Sequence, residues 1–353
     1  ASDVYKRQIE AQLRTYLKSG FQLLSINDFT GQGYAPVGIL DPFWNSKGLI
    51  TPEKFREFCA PTVALLRFPK RSYYNDEVFT GKAEVYNYSS SALKSAKFKW
   101  WVTDESGKIL KSGKLNTQNI GNNGVFPAGE FSYALNGISA PQRLTVHLSV
   151  NNTINNSWDI WVYPRRDLKG LMQSTADVLY TTAFDAKAKQ FLAEGKKVVL
   201  CPMPAKVIGR SSNFHNHFWN PIMFKWKPMT LGCLIHAEQK MFDNFITEKH
   251  LDWQWWDILA HAKVIEMDEA PRQLRPFIQV IDSYETNHKL GIGFEAKVGN
   301  GKLMVLALDT KKEMEKRPAT QQLLVSIDRY VKSGHFNPQV DVEESFIESF
   351  LRK

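Results

Sequence analysis

The spacing of apolar and polar positions changes three times along this chain. Apolar side chains at Ile9, Leu13, Tyr16 and Leu17 follow a helical period that stops at Gly20. "FQLLSI", Phe21 to Ile26, then reads as a short buried strand. It ends in Asn27-Asp28-Phe29 and opens into a glycine-spaced loop that closes on Phe43-Trp44-Asn45. Thr51-Pro52-Glu53 starts a second helix, with Thr51 as N-cap and Pro52 at the first helical position. Helix, tight turn, buried strand and long polar loop is the order of a βα-barrel or an open α/β sheet. In both, polar residues at the C-terminal end of a strand face the site.

From residue 62 to about 164 the period drops to two. Seven runs alternate: "TVALLRF", "EVFTGKAEVYNY", "KFKWWVTD", "GKILKSGKL", "EFSYALN", "RLTVHLSV" and "SWDIWVYP". Asn75-Asp76, Glu105-Ser106-Gly107 and Gly121-Asn122-Asn123-Gly124 punctuate them as turns. That many short strands in about a hundred residues predicts an immunoglobulin-like β-sandwich, without the Cys–Trp–Cys spacing of antibody domains. After residue 170 the pattern becomes mixed. "ADVLYTT", "FDAKAKQFLAEG" and "KKVVLCP" form a βαβ unit, with the helix closed by Gly195. "AKVIEMD", a hairpin ending in "NGKLMVLALD", and a helix from Arg317-Pro318 to Gly334 complete a three-layer α/β domain. The expected divisions are 1–60, 61–165, 170–335 and an amphipathic tail, 336–353.

Composition changes this picture little. The 353 residues suffice for two or three domains, and 43 % hydrophobic with 23 % charged residues is ordinary globular usage. The net charge of +9 permits anionic partners, but basic residues occur at most in pairs among acids. No basic stripe with interleaved aromatics exists, which argues against nucleic-acid binding. Cys59, Cys201 and Cys233 are odd in number and far apart, so neither a disulfide framework nor a zinc site is indicated. No apolar run reaches the length of a membrane-spanning helix. The polar start, Ala1 to Gln8, carries no signal-peptide pattern and reads like a junction.

Candidate chemistry is concentrated in the first segment. Cys233 and His236 are three apart, but Leu234 and Ile235 replace the small residues of a nucleophile elbow, so a buried apolar thiol is the better reading. His215-x-His217 lacks a recognisable third metal ligand. In "DWQWWDIL", a helix puts Trp253 and Trp256 on one face and turns Trp255 away, which favours packing over a sugar platform. Asn27 and Asp28, by contrast, sit at a strand end, with Gln32, Asp41, Trp44, Asn45 and Lys47 on the loop beyond. Amides and carboxylates hydrogen-bond hydroxyls, an indole stacks on a sugar face, and a cation neutralises charge or binds an acidic substituent. A loop held by its own Asn and Asp turn bonds is the competing reading.

The stretch "GFQLLSINDFTGQGYAPVGILDPFWNSKGLITPEKFREFCAPTVAL" resembles the end of the catalytic barrel in glycoside hydrolase family 2, the β-galactosidase and β-glucuronidase family. "NNSWDIWVYP", "FWNP", "DWQWWDIL" and "AKVGNGKLMVLALD" are similar to later modules of large Bacteroidetes-type members. The resemblance implies a multidomain fold: a terminal βα piece of a TIM barrel (last strand and exit helix), an immunoglobulin-like β-sandwich, and a C-terminal α/β three-layer domain, amidotransferase-like or flavodoxin-like. It implies retaining hydrolysis of β-glycosides in carbohydrate degradation by two glutamates about 5 Å apart. The family places both on earlier strands, so no catalytic residue is assigned here, and this chain alone is expected to be inactive. Asn27, Asp28, Trp44, Asn45 and Lys47 are the expected substrate contacts. Carbohydrate is the expected partner, with no cofactor, no metal and no nucleic acid, and a periplasmic or secreted parent. The alternative is a non-catalytic carbohydrate-binding or scaffolding protein.

Overall fold

The computed structural model describes residues 2–15, 21–23, 25–30, 38–212, 214, 230–283 and 286–352. It separates into two compact units, with the chain passing from the first to the second after Pro164.

The first unit begins with helix α1, Ser2–Leu13. The helix therefore includes the polar start that reads like a junction. Tyr5 lies four residues before Ile9 and extends the Ile9–Leu13 stripe backwards, a periodicity hidden by the charged residues around it. Ile9 and Leu13 pack in a small core with Phe58, Val63 and Leu65. Tyr16, Leu17 and Gly20, where the sequence pattern ends that helix, lie outside the described residues.

The described residues of Phe21–Ile26 do not form the expected strand. Its end pairs only with the far side of its own loop: Ile39 N and Leu40 N donate to Ile26 O, and Asn27 bridges Leu40. An apolar run is extended by a ladder partner, and the described residues place no strand beside it. Helix α2, Pro52–Arg56, forms as expected, with Thr51 Oγ1 accepting from Lys54 N.

The sandwich has strands β1 (Thr62–Arg67), β2 (Ser72–Tyr74), β3 (Val78–Asn87), β4 (Leu93–Thr103), β5 (Ile109–Ile120), β6 (Gly124–Ala134), β7 (Gln142–Val150) and β8 (Ile154–Tyr163). One sheet runs β1-β3-β6 and the other β2-β8-β7-β4-β5. Seven strands coincide with the alternating runs. The additional β2 has three residues, too few to show a period, and pairs parallel with β8. Phe79, Phe98, Val102, Leu144, Val146 and Ile160 fill the space between the sheets.

The second unit holds β9 (Val178–Thr181), α3 (Ala186–Ala193), β10 (Lys197–Leu200), β11 (Arg210–Ser211), β12 (Gly232–Ile235), α4 (Trp255–Ala260), β13 (Lys263–Glu266), β14 (Ile278–Ile281), β15 (Leu290–Val298), β16 (Gly301–Leu306), α5 (Pro318–Lys332) and α6 (Glu344–Ser349). The sheet order is β11-β13-β15-β16-β10-β9, with β14 joining β12 to β15. Strands β9, β10 and β16 are mutually parallel. Alternation along β15 separates the layers. Phe294, Ala296 and Val298 meet Ala188 and Leu192 of α3 and Phe346 of α6, while Glu295 Oε2 accepts from Tyr330 Oη of α5 at 2.8 Å. Residues 336–352 are built into this unit, with Phe336 and Ile347 fully buried.

Close packing predicts one sensitive position. A Cβ at Gly293 would lie 2.4 Å from Phe277 Cζ, whereas one at Gly334 meets nothing within 4 Å. Gly293→Ala is expected to cost the α/β unit about 1–3 kcal/mol in urea unfolding, and Gly334→Ala close to nothing.

Candidate functional site

The described parts of the loop, 27–30 and 38–47, are held to each other by their own polar side chains. Asp28 is 2 % exposed. Its Oδ1 accepts from Gly38 N at 2.8 Å, and its two oxygens each take a 2.9 Å bond from Lys47 Nζ. Lys47 Nζ also donates to Gly38 O at 3.0 Å. Gly38 is required by contact: a Cβ there would sit 2.2 Å from the Asn27 carbonyl carbon. Asn27 accepts from Ser25 Oγ and donates to Asp28 O.

A second clamp closes the loop tip. Asp41 Oδ1 accepts from the Phe43 and Asn45 amides, both at 2.8 Å, and Oδ2 accepts from Asn45 Nδ2 at 3.1 Å. Desolvation, the largest single influence, pushes this carboxyl up, but the Asn45 and Phe43 bonds and the Lys47 charge together outweigh it, so Asp41 sits below its usual range. The clamp holds Trp44 in the left-handed region, φ 69°, which is costly for a bulky side chain. Phe43 and Trp44 point outwards, 82 % and 64 % exposed.

The structure thus places four of the five expected contacts in two bonded sets and leaves Trp44 outside them. Asp28 and Lys47 come together as an ion pair with Asn27 beside them. Asn45 is bound to Asp41, and Trp44 stands free of both. Gln32 lies outside the described residues.

A cleft of about 610 Å³ adjoins the end of this loop, with Ser46, Leu49, Ile50, Lys54, Phe58 and Lys6 in its lining. Lys6 is absent from the sequence-level candidates. Its Nζ donates to Asn156 Oδ1 at 2.7 Å and to Ser157 O. Glu10, one turn on, accepts from Trp158 Nε1 at 3.0 Å and from Asn156 Nδ2 at 3.0 Å. The i,i+4 spacing of Lys6 and Glu10 was the available sign, once the helix is drawn from Ser2. Burial, with repulsion from Lys54 and Arg71, pushes the Lys6 amine down to about 8 against the pull of Glu10 and Glu57.

The remaining candidates resolve as structural. Cys201 and Cys233 are buried, which pushes both thiols up to about 12 and keeps them neutral. His236 Nδ1 lies 3.2 Å from Glu238 Oε1. His215, His217 and "FWNP" lie outside the described residues. Trp255 is fully buried, with Nε1 donating to Thr247 Oγ1, whereas Trp256 is 57 % exposed. One grouping had no sequence signal: Glu266, Asp268 and His288 bring their donor atoms within 4.8 Å of one another. His288 Nδ1 is 2.6 Å from Asp268 Oδ2, and that bond, with the nearby Glu266 charge, holds the imidazole above its ordinary value. This is an exposed ion-paired corner. No helix among the described residues is long and apolar enough to cross a membrane.

Residues 179–352 match the family described as Domain of unknown function (DUF8487), and residues 77–164 match Domain of unknown function (DUF8488). No curated protein matches the chain. Among solved structures the chain is similar to the Pseudomonas fluorescens alkylpurine DNA glycosylase AlkC bound to abasic-site DNA, at 14 % identity over 30 % of this chain and 31 % of that one, TM-score 0.25. It is similar to Listeria innocua β-glucosidase in complex with glucose, at 12 % identity over 30 % of this chain and 17 % of that one, TM-score 0.22. It is also similar to Parabacteroides merdae β-glucuronidase, at 15 % identity over 40 % of this chain and 21 % of that one, TM-score 0.22. The chain therefore spans less than a third of the length of each of the three.

The Lys6 geometry has a pH consequence. The unfolded chain keeps this proton to about 10.5, and the folded chain releases it near 8. Over that window the unfolded state binds more protons, so stability rises with pH. Lys6→Met is expected to remove this rise, read as urea unfolding free energies of both proteins at intervals across the window.

Proposed function

We propose that this chain is the C-terminal portion of a glycoside hydrolase resembling family 2. In this reading the parent is a retaining β-glycosidase of carbohydrate degradation, exported to the periplasm or secreted. The catalytic glutamates lie outside this chain. Residues 1–60 close the catalytic barrel, and 61–165 and 170–335 are accessory domains. The observation that carries the reading is in the described part of the 27–47 loop, where Asp28, Asp41, Asn45 and Lys47 are bonded to one another and to the backbone while Phe43 and Trp44 project outwards. A clamped loop tip presenting aromatic faces suits C–H stacking against a pyranose. Phe21, Ile26, Phe29 and Leu49 are also exposed in this stretch, which suits a segment that a barrel would cover. Asn45 and the Asp28–Lys47 pair would then border the sugar's polar edge.

One observation favours the binding-module alternative. Of the sandwich tryptophans, Trp100, Trp158 and Trp161 are buried, but Trp101 is half-exposed and stacks on His147 at 4.8 Å with the ring planes nearly parallel. Such a ring pair on a sheet face could hold a glycan without any chemistry.

Two measurements separate these readings. In the protein from the complete reading frame, Trp44→Ala should lower kcat/KM on nitrophenyl β-glycosides by about tenfold or more, and this chain alone should show no turnover. Turnover by the chain alone, lost on replacing one of its own acids, would refute the proposal. Retention on polysaccharide affinity gels that is abolished by Trp101→Ala and untouched by Trp44→Ala would establish the alternative.

A further inference from the structure

The α/β unit contains a second cleft, and its position follows from the topology. Parallel strands β9, β10 and β16 end together at Thr181, Leu200 and Leu306. Where parallel strands end, the connections part and leave a crevice at the carboxyl edge of the sheet. A cavity of about 450 Å³ occupies that edge here, a size that suits a small organic ligand.

Its polar lining comes from Tyr180, Thr181, Thr182, Thr310 and Lys311; the Thr181 hydroxyl is taken up locally, donating to Ala183 O at 3.0 Å and accepting from Ala183 N at 3.1 Å. Thr182, just past β9, and Thr310-Lys311, just past β16, all line it. Among the described residues their side chains have no hydrogen-bond or ion-pair partner. The other titratable groups are accounted for. Tyr180 Oη donates to Asp328 Oδ1 at 2.6 Å, so the phenol contributes its ring as a wall. Asp309 turns its carboxylate to the Lys311 and Lys312 amides, both at 2.9 Å. Cys201 is a buried, neutral thiol and adds no charge. The remaining wall is aliphatic, with Leu171, Met172, Met314 and Leu324 among its residues.

We propose that this cleft binds a small monocarboxylic acid with an apolar body. The Lys311 ammonium takes the carboxylate, the Thr182 and Thr310 hydroxyls donate to its oxygens, and the leucine and methionine wall covers the hydrocarbon. One cation and two hydroxyls match a single negative charge. They are too few for a phosphate dianion, which draws several charge-assisted donors or a nest of backbone amides. The aliphatic wall, with only the Tyr180 ring among it, fits a hydrocarbon better than a sugar face.

The site lies wholly within the second unit and is independent of the glycosidase reading. The test uses the full chain and four probes followed by amide NMR: hexanoate, its isosteric amide hexanamide, inorganic phosphate and glucose. Hexanoate should bind saturably, with shifts confined to residues around Thr182, Cys201 and Thr310. Hexanamide should bind about tenfold or more weakly, and Lys311→Ala should weaken hexanoate by a similar factor. Lys311 is exposed, so this variant should fold. Leu171→Trp, which fills the cleft, should abolish binding by a separate route. No saturable hexanoate binding, equal binding of the amide, tighter binding of phosphate or glucose, or indifference to both substitutions would each overturn the proposal.

Discussion

A charge taken out of water must be paired, and in the first unit that requirement fixes where everything else lies. Glu10 and Lys6 sit one turn apart on α1, both nearly buried, and their partners Asn156 and Trp158 belong to β8. Such a network adds little net stability over an apolar contact, but breaking it strands a charge in a poorly solvated place. It therefore acts chiefly as a register. Only one position and rotation of α1 satisfies Glu10, Lys6, Asn156 and the indole together. Arg14 continues the same line, bonding to Glu84 on β3 and to Leu66 O on β1. With α1 fixed against both sheets, the chain that returns through the 27–47 loop has a fixed wall to close against. Asp28 is near enough to that wall for its charge to contribute to raising the Tyr5 phenol's pKa.

The loop then solves a second problem by similar means. Asp28 would be a buried unpaired carboxylate without Lys47, and Trp44 would not hold a positive φ without the Asp41 clamp. Both devices consume the groups that would otherwise address a ligand directly. The consequence is that the Phe43 and Trp44 rings face outwards while the charged groups are bonded within the loop. A side chain in such a role affects binding through geometry, which is why the sequence alone left sugar contact and turn bonding as equal readings of the same residues.

The sandwich and the βαβ unit were legible because their signals are local and repeated. Alternation over eight to twelve residues is hard to produce by anything but a half-buried strand, and Gly195 and Pro318 mark helix ends by mechanisms that do not depend on the rest of the fold. The described residues of Phe21–Ile26 are not paired as a strand, because an apolar run states only that burial is wanted, not which partner provides it. The start of α1 was missed because Lys6 and Glu10 look like surface residues until β8, some 150 residues later, supplies Asn156 and Trp158. Long-range pairing of polar groups leaves no period in the sequence.

The same reasoning explains why the α/β unit shows no ligand motif. A phosphate-binding turn is legible because one loop carries all its donors. The carboxyl edge of β9, β10 and β16 draws on chain positions near 181, 201 and 310, which meet only because a helical crossover and a hairpin make those strands parallel neighbours. Thr182, Thr310 and Lys311 are unremarkable in sequence and become a set only in the fold. Their neighbour Cys201 sharpens the argument by what it cannot do. Burial keeps this thiol protonated across the physiological range, so it adds neither charge nor a thiolate to the edge, and the charge there comes from Lys311.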